Sequence, residues 1–411
     1  MKKLLKIKMT WFPIWAVPLL MLSMICIYLP VFSGADPKLS NFPLIIVNED
    51  EQFTSSAFGK SLLSNLSKEV DGHSLQWSVV TSKEKAIDQI KDDNAYGAIV
   101  IPENFSASIN ELKGGFISGE TDGKAAEVEI LINEAGGQMA TAVASNVLQT
   151  MASSASDGLS GQIKSALVSK NMQVSPLSTS VLDQPIHYTS TNVLGLPANL
   201  NKGMTPFMIV LITSITGLLG VQMINGYINK ISETLNSKGH TISNTKILIT
   251  ELLFGLIVTL LVSAMLQLAV FGFFGSVHSI GIWPIFWFTL LSSMTMFLMF
   301  KVISLFFGKW GMLIMFPLNI MGIFGSGGAV PIANLPDFHR IASIFLPTRY
   351  MVDGMRSLLY YGGNMQASLG TALWVISSLF VVFLGICLVV TLTTHKKDSS
   401  KAKLEPSLVE A

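Results

Sequence analysis

"FGSGGAVPIANLPDFHRIASIFLPTRYMVDGMRSLLYYGG", residues 324–363, breaks a long apolar run with three prolines, six glycines, two aspartates and three arginines. Gly325, Gly327, Gly328 and Pro331 prevent a regular helix from continuing. Leu335, Phe338, Ile341, Ala342 and Phe345 then recur at helical spacing, with Asp337, His339 and Arg340 on the other side. That pattern predicts a short helix lying along an interface. Pro347 opens a second helix, with Thr348 near its cap. Met351, Met355, Leu358 and Leu359 form its apolar stripe, and Gly362-Gly363 ends it. Arg349, Asp353 and Arg356 stand three and four residues apart, so they can pair. Irregular backbone at membrane depth is tolerated only where protein or water satisfies its polar groups. Two half-helices that only seal and two that contact another molecule would share this sequence.

Outward from that stretch the chain is apolar. Of its 411 residues, 50% are hydrophobic and only 13% charged. Soluble proteins carry about a quarter charged residues, so the composition points to a membrane protein. The net charge of +1 gives no reason to expect nucleic acid. Cys26 and Cys387 both fall in apolar runs and offer neither a disulfide framework nor metal-ligand spacing. A spanning helix needs about 20 apolar residues. The candidates are 11–32, 206–227, 247–274, 280–300, a short uncharged run at 311–325, and 369–392. Six spans place four lysine sets on one side: Lys2, Lys3, Lys6 and Lys8; Lys230, Lys238 and Lys246; Lys301 and Lys309; Lys396, Lys397, Lys401 and Lys403. The positive-inside rule makes that side, with both termini, cytoplasmic. The tail is 395–411.

Residues 34–203 form one soluble insert on the outer side, long enough to bury its own core. "FPLIIVNED", "SLQWSVV", "AYGAIVIPENFS" and "AEVEILINEA" read as strands, the last with one wet face. "SSAFGKSLLSNLSKEV" and "SKEKAIDQIKDD" have helical spacing, and a long helix follows from Gln138 to about Leu167. The expected fold class is therefore a polytopic α-helical membrane protein of six spans, with re-entrant half-helices between spans five and six, plus an extracytoplasmic α/β domain between spans one and two.

Catalytic chemistry finds little support. Glu49, Asp50 and Glu51 sit in a turn, where acids are solvated or cap a helix. His73 and His187 lack a nearby nucleophile or a second ligand. Gly59-Lys60-Ser61 ends like a phosphate-binding loop, but that loop needs a glycine where Thr54 stands. No cofactor or metal is expected on this chain. The polar residues within spans, Gln222, Asn225, Glu251, Gln267 and Asn319, are functional candidates by default. Helix packing is the plainer role for single amides. They form no proton-relay chain.

Two resemblances follow. "IIVNEDEQFTSSAFGKSLLSNL", "WSVVTSKEKAIDQIKDDNAYGAIVIPENFSASI" and "VEILINEAGGQMATAVASNVL" resemble the outer domain of the YhgE/Pip family, over roughly 42–149. The membrane part, 204–394 with the first span, resembles the permeases of the ABC-2 exporters. The motif there is Pro331, Leu335-Pro336, an amphipathic helix, Pro347-Thr348-Arg349-Tyr350, then Asp353-Gly354-Met355-Arg356. The resemblance implies an outer re-entrant segment at 325–363 that includes Pro331, Pro336, Pro347, Tyr350, Gly354 and Arg356. It also implies a coupling loop at 229–246, with Lys230, Glu233, Lys238, Gly239, His240 and Thr241, docking a separate ATPase. This chain has Lys238-Gly239-His240-Thr241 where the family carries an arginine and a Gly-Thr pair. The implied partners are a cytoplasmic ATPase that holds ATP and Mg, a second permease copy and membrane lipid. The implied cargo is hydrophobic or amphipathic, and the implied setting is a Gram-positive plasma membrane. The YhgE/Pip resemblance implies an alternative, a surface protein serving phage attachment or secretion.

Overall fold

A computed structural model describes residues 41–55, 75–118, 124–170, 179–196, 203–238 and 242–404. They fall into two compact units, one within Asp36–Gly203 and one from Met204 onward. The predicted first span at 11–32 and the predicted helix beginning at Ser55 lie outside the described residues, save for Ser55 itself.

The first unit holds one five-stranded sheet. Its strands are β1 (Phe42–Asn48), β2 (Leu75–Val80), β3 (Gly97–Ile101), β4 (Ala126–Ile132) and β5 (Ile186–Asn192), in the order β2-β1-β3-β4-β5. β1 runs parallel to β2 and β3, β3 is antiparallel to β4, and β4 is parallel to β5. Gly-Ala-Ile-Val-Ile of β3 is buried at every position, as expected of a strand covered on both faces. The helices are α1 (Glu51–Ser55), α2 (Lys83–Lys91), α3 (Phe105–Ser118), α4 (Gln138–Ser169) and α5 (Thr179–Asp183). Ala86 and Ile90 of α2 join Ile45, Val47, Ala98 and Val100 in one core. Among the described residues, the short helices α1 and α5, helix α3 and the edge strand β5 were not legible in the sequence. Every residue of β5 after Ile186 is exposed.

Asp50 shows how the turn after β1 is held. Its carboxylate accepts the Gln52 N–H at 2.9 Å and the Ser106 N–H at 2.6 Å, so one side chain caps both α1 and α3. Burial pushes its pKa up. Hydrogen bonds from Ser106, Gln52 and Phe53 outweigh that and hold it below the usual value.

The second unit is helical. α6 (Thr205–Ser237), α7 (Asn244–Gln267), α8 (Ile282–Phe307) and α12 (Gly370–Leu404) are its long helices, with α9 (Gly311–Phe324), α10 (Asp337–Phe345) and α11 (Pro347–Tyr360) between. α7 continues as a π-turn from Leu268 to Phe273. Four segments are long and apolar enough to cross a membrane: Thr205–Ser237, Asn244–Phe273, Ile282–Phe307 and Met365–Thr393. α9 has 14 residues and carries Pro317 inside it. At 1.5 Å per residue it spans about 21 Å, short of the roughly 30 Å hydrocarbon core. The described residues thus contain four helices long and apolar enough to span a membrane and one shorter apolar helix.

Exposed aromatics stand near both ends of α8. Phe273, Phe274, Trp283 and Trp287 cluster at one end of the unit, and Phe306, Phe307 and Trp310 at the other. From Trp287 to Phe306 is 19 residues of α8, or about 29 Å, close to the hydrocarbon thickness. Aromatic belts favour such interfaces. α8 is mostly buried, whereas α7 and α12 are mostly not. Met296, Phe297, Phe300, Met351, Val352 and Ile376 belong to the unit's core. α6 and α8 touch backbone to backbone, because a Cβ on Gly217 would lie 2.9 Å from the carbonyl carbon of Met296.

Candidate functional site

The site begins with a correction. The lysine count assigned Lys301 to a connection after a span ending at residue 300. In the structure α8 runs on to Phe307, and Lys301 lies inside it, 2% exposed and five residues short of the Phe306 belt. A buried ammonium needs partners. Lys301 Nζ donates to Glu251 Oε2 of α7 at 2.6 Å and to Asn225 Oδ1 of α6 at 2.7 Å. Asn225 Nδ2 donates in turn to Ser304 Oγ of α8 at 2.8 Å. Four side chains from three helices form one hydrogen-bonded knot. Glu251, only 5% exposed, turns inward and does not reach the interface.

The knot forms the floor of a cavity of about 480 Å³. Gln222 lines its wall, Asn229 and Asn244 stand exposed at the mouth, and Ile247, Leu248 and Val390 supply apolar surface. The mouth lies where the α6–α7 connection begins and ends.

The other intramembrane candidates are not gathered there. Gln267 Nε2 donates to Thr289 Oγ1 at 3.2 Å, and Ser263 pairs with Ser293 at 3.3 Å. On α7, residues 251, 255, 259, 263 and 267 fall on one face. On α8, residues 289, 293, 297 and 301 do the same. The two helices therefore share a seam whose polar pairs start at the ion pair. Asn319 of α9 accepts a hydrogen bond from the Ser214 hydroxyl of α6. Both contacts serve helix packing.

The broken stretch forms α10 and α11, with its amphipathic helix turned outward. Phe338 and Phe345 are 69% and 76% exposed, and Ile341 and Ile344 are exposed too, while His339 and Ser343 are buried. Such an apolar stripe suits lipid. α11 is buried on nearly all sides. Pro331 and Pro347 are buried, Pro336 half-buried. Thr348 Oγ1 donates to Gly322 O at 2.6 Å, tying α11 to α9. Tyr350 OH donates to Ile344 O at 2.9 Å. Buried Arg356 donates to Gly327 O at 3.1 Å and sits 4.0 Å from Asp353. Arg349 donates to Ser343 Oγ at 3.4 Å. Gly354 lies against α8 and α12: a Cβ there would meet Phe288 Cζ at 2.4 Å and Ala372 Cβ at 2.8 Å.

Residues 8–392 match the model of the ABC-2 family transporter proteins. The chain belongs to the ABC-2 transporter family. It is a membrane transport subunit of a kind that is generally not catalytic and normally works with a cytoplasmic ATPase. A crystal structure of a domain assigned to an ABC type-2 transporter of Thermotoga maritima MSB8 is similar at 22% identity, with a TM-score of 0.24. It covers 36% of this chain and 84% of its own. No curated protein matches.

In this ABC-2 protein the expected coupling loop is narrower than its sequence suggested. α6 continues unbroken to Ser237, so Lys230 and Glu233 are exposed on its last turns. Lys238 follows as its C-cap, and Gly239, His240 and Thr241 lie outside the described residues. Ile231 is 54% exposed there. In the sheet unit, His187 borders a separate cavity of about 370 Å³ with Ser153, Ser156 and Asp157. Among the described residues no group of His, Cys, Asp and Glu could hold a metal. Lys301 was the buried charge of this cavity that sequence reasoning missed. The signal available was a lysine flanked by Met299-Phe300 and Val302-Ile303, with a lone acid in another span.

Proposed function

We propose that this chain is the membrane subunit of an ATP-driven ABC-2 exporter that moves a hydrophobic or amphipathic compound out of the cell. The observation that carries the reading is the polar cavity floored by Glu251 and Lys301. A charged pair inside apolar spans is costly to build and suits a passage better than an anchor. The cavity also stands at the α6–α7 connection, on the side the remaining lysine sets make cytoplasmic. In this reading 11–32 is the first span, α9 the fifth, and α10 and α11 an outer re-entrant pair. Residues 34–203 form the extracytoplasmic domain. Two permease copies enclose the path, and two ATPase subunits carrying ATP and Mg dock at Lys230–Thr241. Movement at that connection acts on α6 and α7, and so on Asn225 and Glu251. ATP state thereby shifts the balance between conformations.

The competing YhgE/Pip reading makes the sheet unit the working part and the helices an anchor. Scrambling 238–241 separates the two. Tagged full-length protein should co-purify an ABC ATPase, and the scrambled chain should recover about tenfold less, equivalent to about 1.4 kcal/mol of docking energy. Undiminished recovery would refute docking at this connection. Recovery of phage or secretion components with no ATPase would favour the second reading.

A further inference from the structure

The inference rests on the exporter reading, and the cavity's chemistry narrows the cargo. Its charges balance, one carboxylate against one ammonium. Both keep capacity to spare among the described residues. Lys301 spends two donors, on Glu251 and Asn225, and an ammonium has three. Glu251 accepts at Oε2 only, leaving Oε1 open. The side chains of Gln222, Asn229 and Asn244 make no hydrogen bond within the described residues. A head with a single charge would satisfy one member of the pair and face the like charge of the other.

An apolar cavity of about 260 Å³ lies along α7, α8 and α12, a turn further from the mouth. Leu252 and Leu256 of α7, Met294 and Phe297 of α8, and Leu384 and Leu388 of α12 line it. Almost none of its surface is polar. Polar floor and apolar recess together have the form of a site for a head and a tail.

We propose that the cavity bounded by α6, α7, α8 and α12 binds the polar head of an amphiphile that carries both an ammonium and an anionic group. The ammonium meets Glu251 Oε1. The anion takes the spare Lys301 donor and the amides of Gln222 and Asn244. The alkyl part lies toward Leu256 and Leu384. Ligand charges then replace solvent around the internal pair without breaking it.

The test is native mass spectrometry on the full-length protein in non-ionic detergent. The probes are lysophosphatidylethanolamine, lysophosphatidylglycerol and an alkyltrimethylammonium of the same chain length, and phosphoethanolamine without a tail. The zwitterionic lysolipid should bind about tenfold more tightly than either singly charged probe. Gln222→Leu with Asn244→Leu should weaken it by about fivefold, since each lost charge-assisted hydrogen bond matters. Leu256→Trp should weaken it by filling the recess. None of these three surface-facing changes should move the thermal unfolding midpoint. The swap Glu251→Lys with Lys301→Glu keeps both charges and should keep the preference for the zwitterion. Equal affinity for all three tailed probes would overturn the proposal, as would wild-type binding by the Leu pair. Phosphoethanolamine binding as tightly as the lysolipid would show a soluble ligand and overturn the tail assignment. The assay needs no ATPase. Charge-selective binding without ATPase recovery would therefore sink the exporter reading alone, and charge-blind binding with ATPase recovery would sink this inference alone.

Discussion

Replacing Lys301 with methionine is expected to destabilise the helical unit by about 3–5 kcal/mol. Methionine keeps the length and apolar stem, so the loss isolates the charge. Glu251 would remain buried with no cation, and Asn225 Oδ1 would lose its donor. The reverse single change, Glu251→Leu, should cost a similar amount by stranding the ammonium. The double change Lys301→Met with Glu251→Leu should recover most of the loss, because two apolar side chains of similar volume need no partners. Thermal unfolding of the solubilised protein across the four variants gives the coupling directly. Additive effects would mean that the pair is not coupled. A solvent-exposed pair at the end of a span would give at most about 1 kcal/mol, so the size of the coupling also reports the burial.

Gly354→Leu carries the second large effect. α11 approaches α8 and α12 so closely that even a methyl at this position would overlap the Phe288 ring and the Ala372 methyl. Alanine should cost about 1–3 kcal/mol, and leucine more, as overpacking in a dense interior does. Phe288→Leu should partly restore the alanine variant, since it withdraws the ring atom at 2.4 Å. The rescue is only partial because the added methyl still meets Ala372 Cβ at 2.8 Å, and it should be smaller for the leucine variant, whose longer side chain needs more room than the ring vacates. The measurement is the unfolding midpoint together with yield of folded protein. Wild-type stability for Gly354→Leu would show that α11 does not pack where the structure places it.

The strands β1 to β4 were legible because β1 and β3 are apolar runs and β2 and β4 alternate apolar with polar residues. Strand β5, Ile-His-Tyr-Thr-Ser-Thr-Asn, was not. It is an edge strand with nearly every side chain in solvent, so burial never shaped its sequence. The half-helices were legible from Pro331, Pro336 and Pro347, but the direction of α10 was not. Amphipathic spacing tells that Phe338, Ile341 and Phe345 share a face. Which face meets protein depends on whether the surroundings are water or lipid, and here His339 and Ser343 turn inward. Lys301 failed for a related reason. A lysine after twenty apolar residues reads as the end of a span. Its true cost is offset by Glu251, 50 residues earlier, and only the fold brings the two together.

The central claim is that these helices form an ATP-driven path for an amphiphile. It is tested most directly in inside-out vesicles from cells producing this chain with the ATPase that it co-purifies. A fluorescent amphiphile should accumulate in them only with ATP and only when both subunits are present. Lys301→Met, assayed at matched protein levels, should reduce the rate by about tenfold, equivalent to about 1.4 kcal/mol. Accumulation that persists without ATP, or without this chain, would contradict the account.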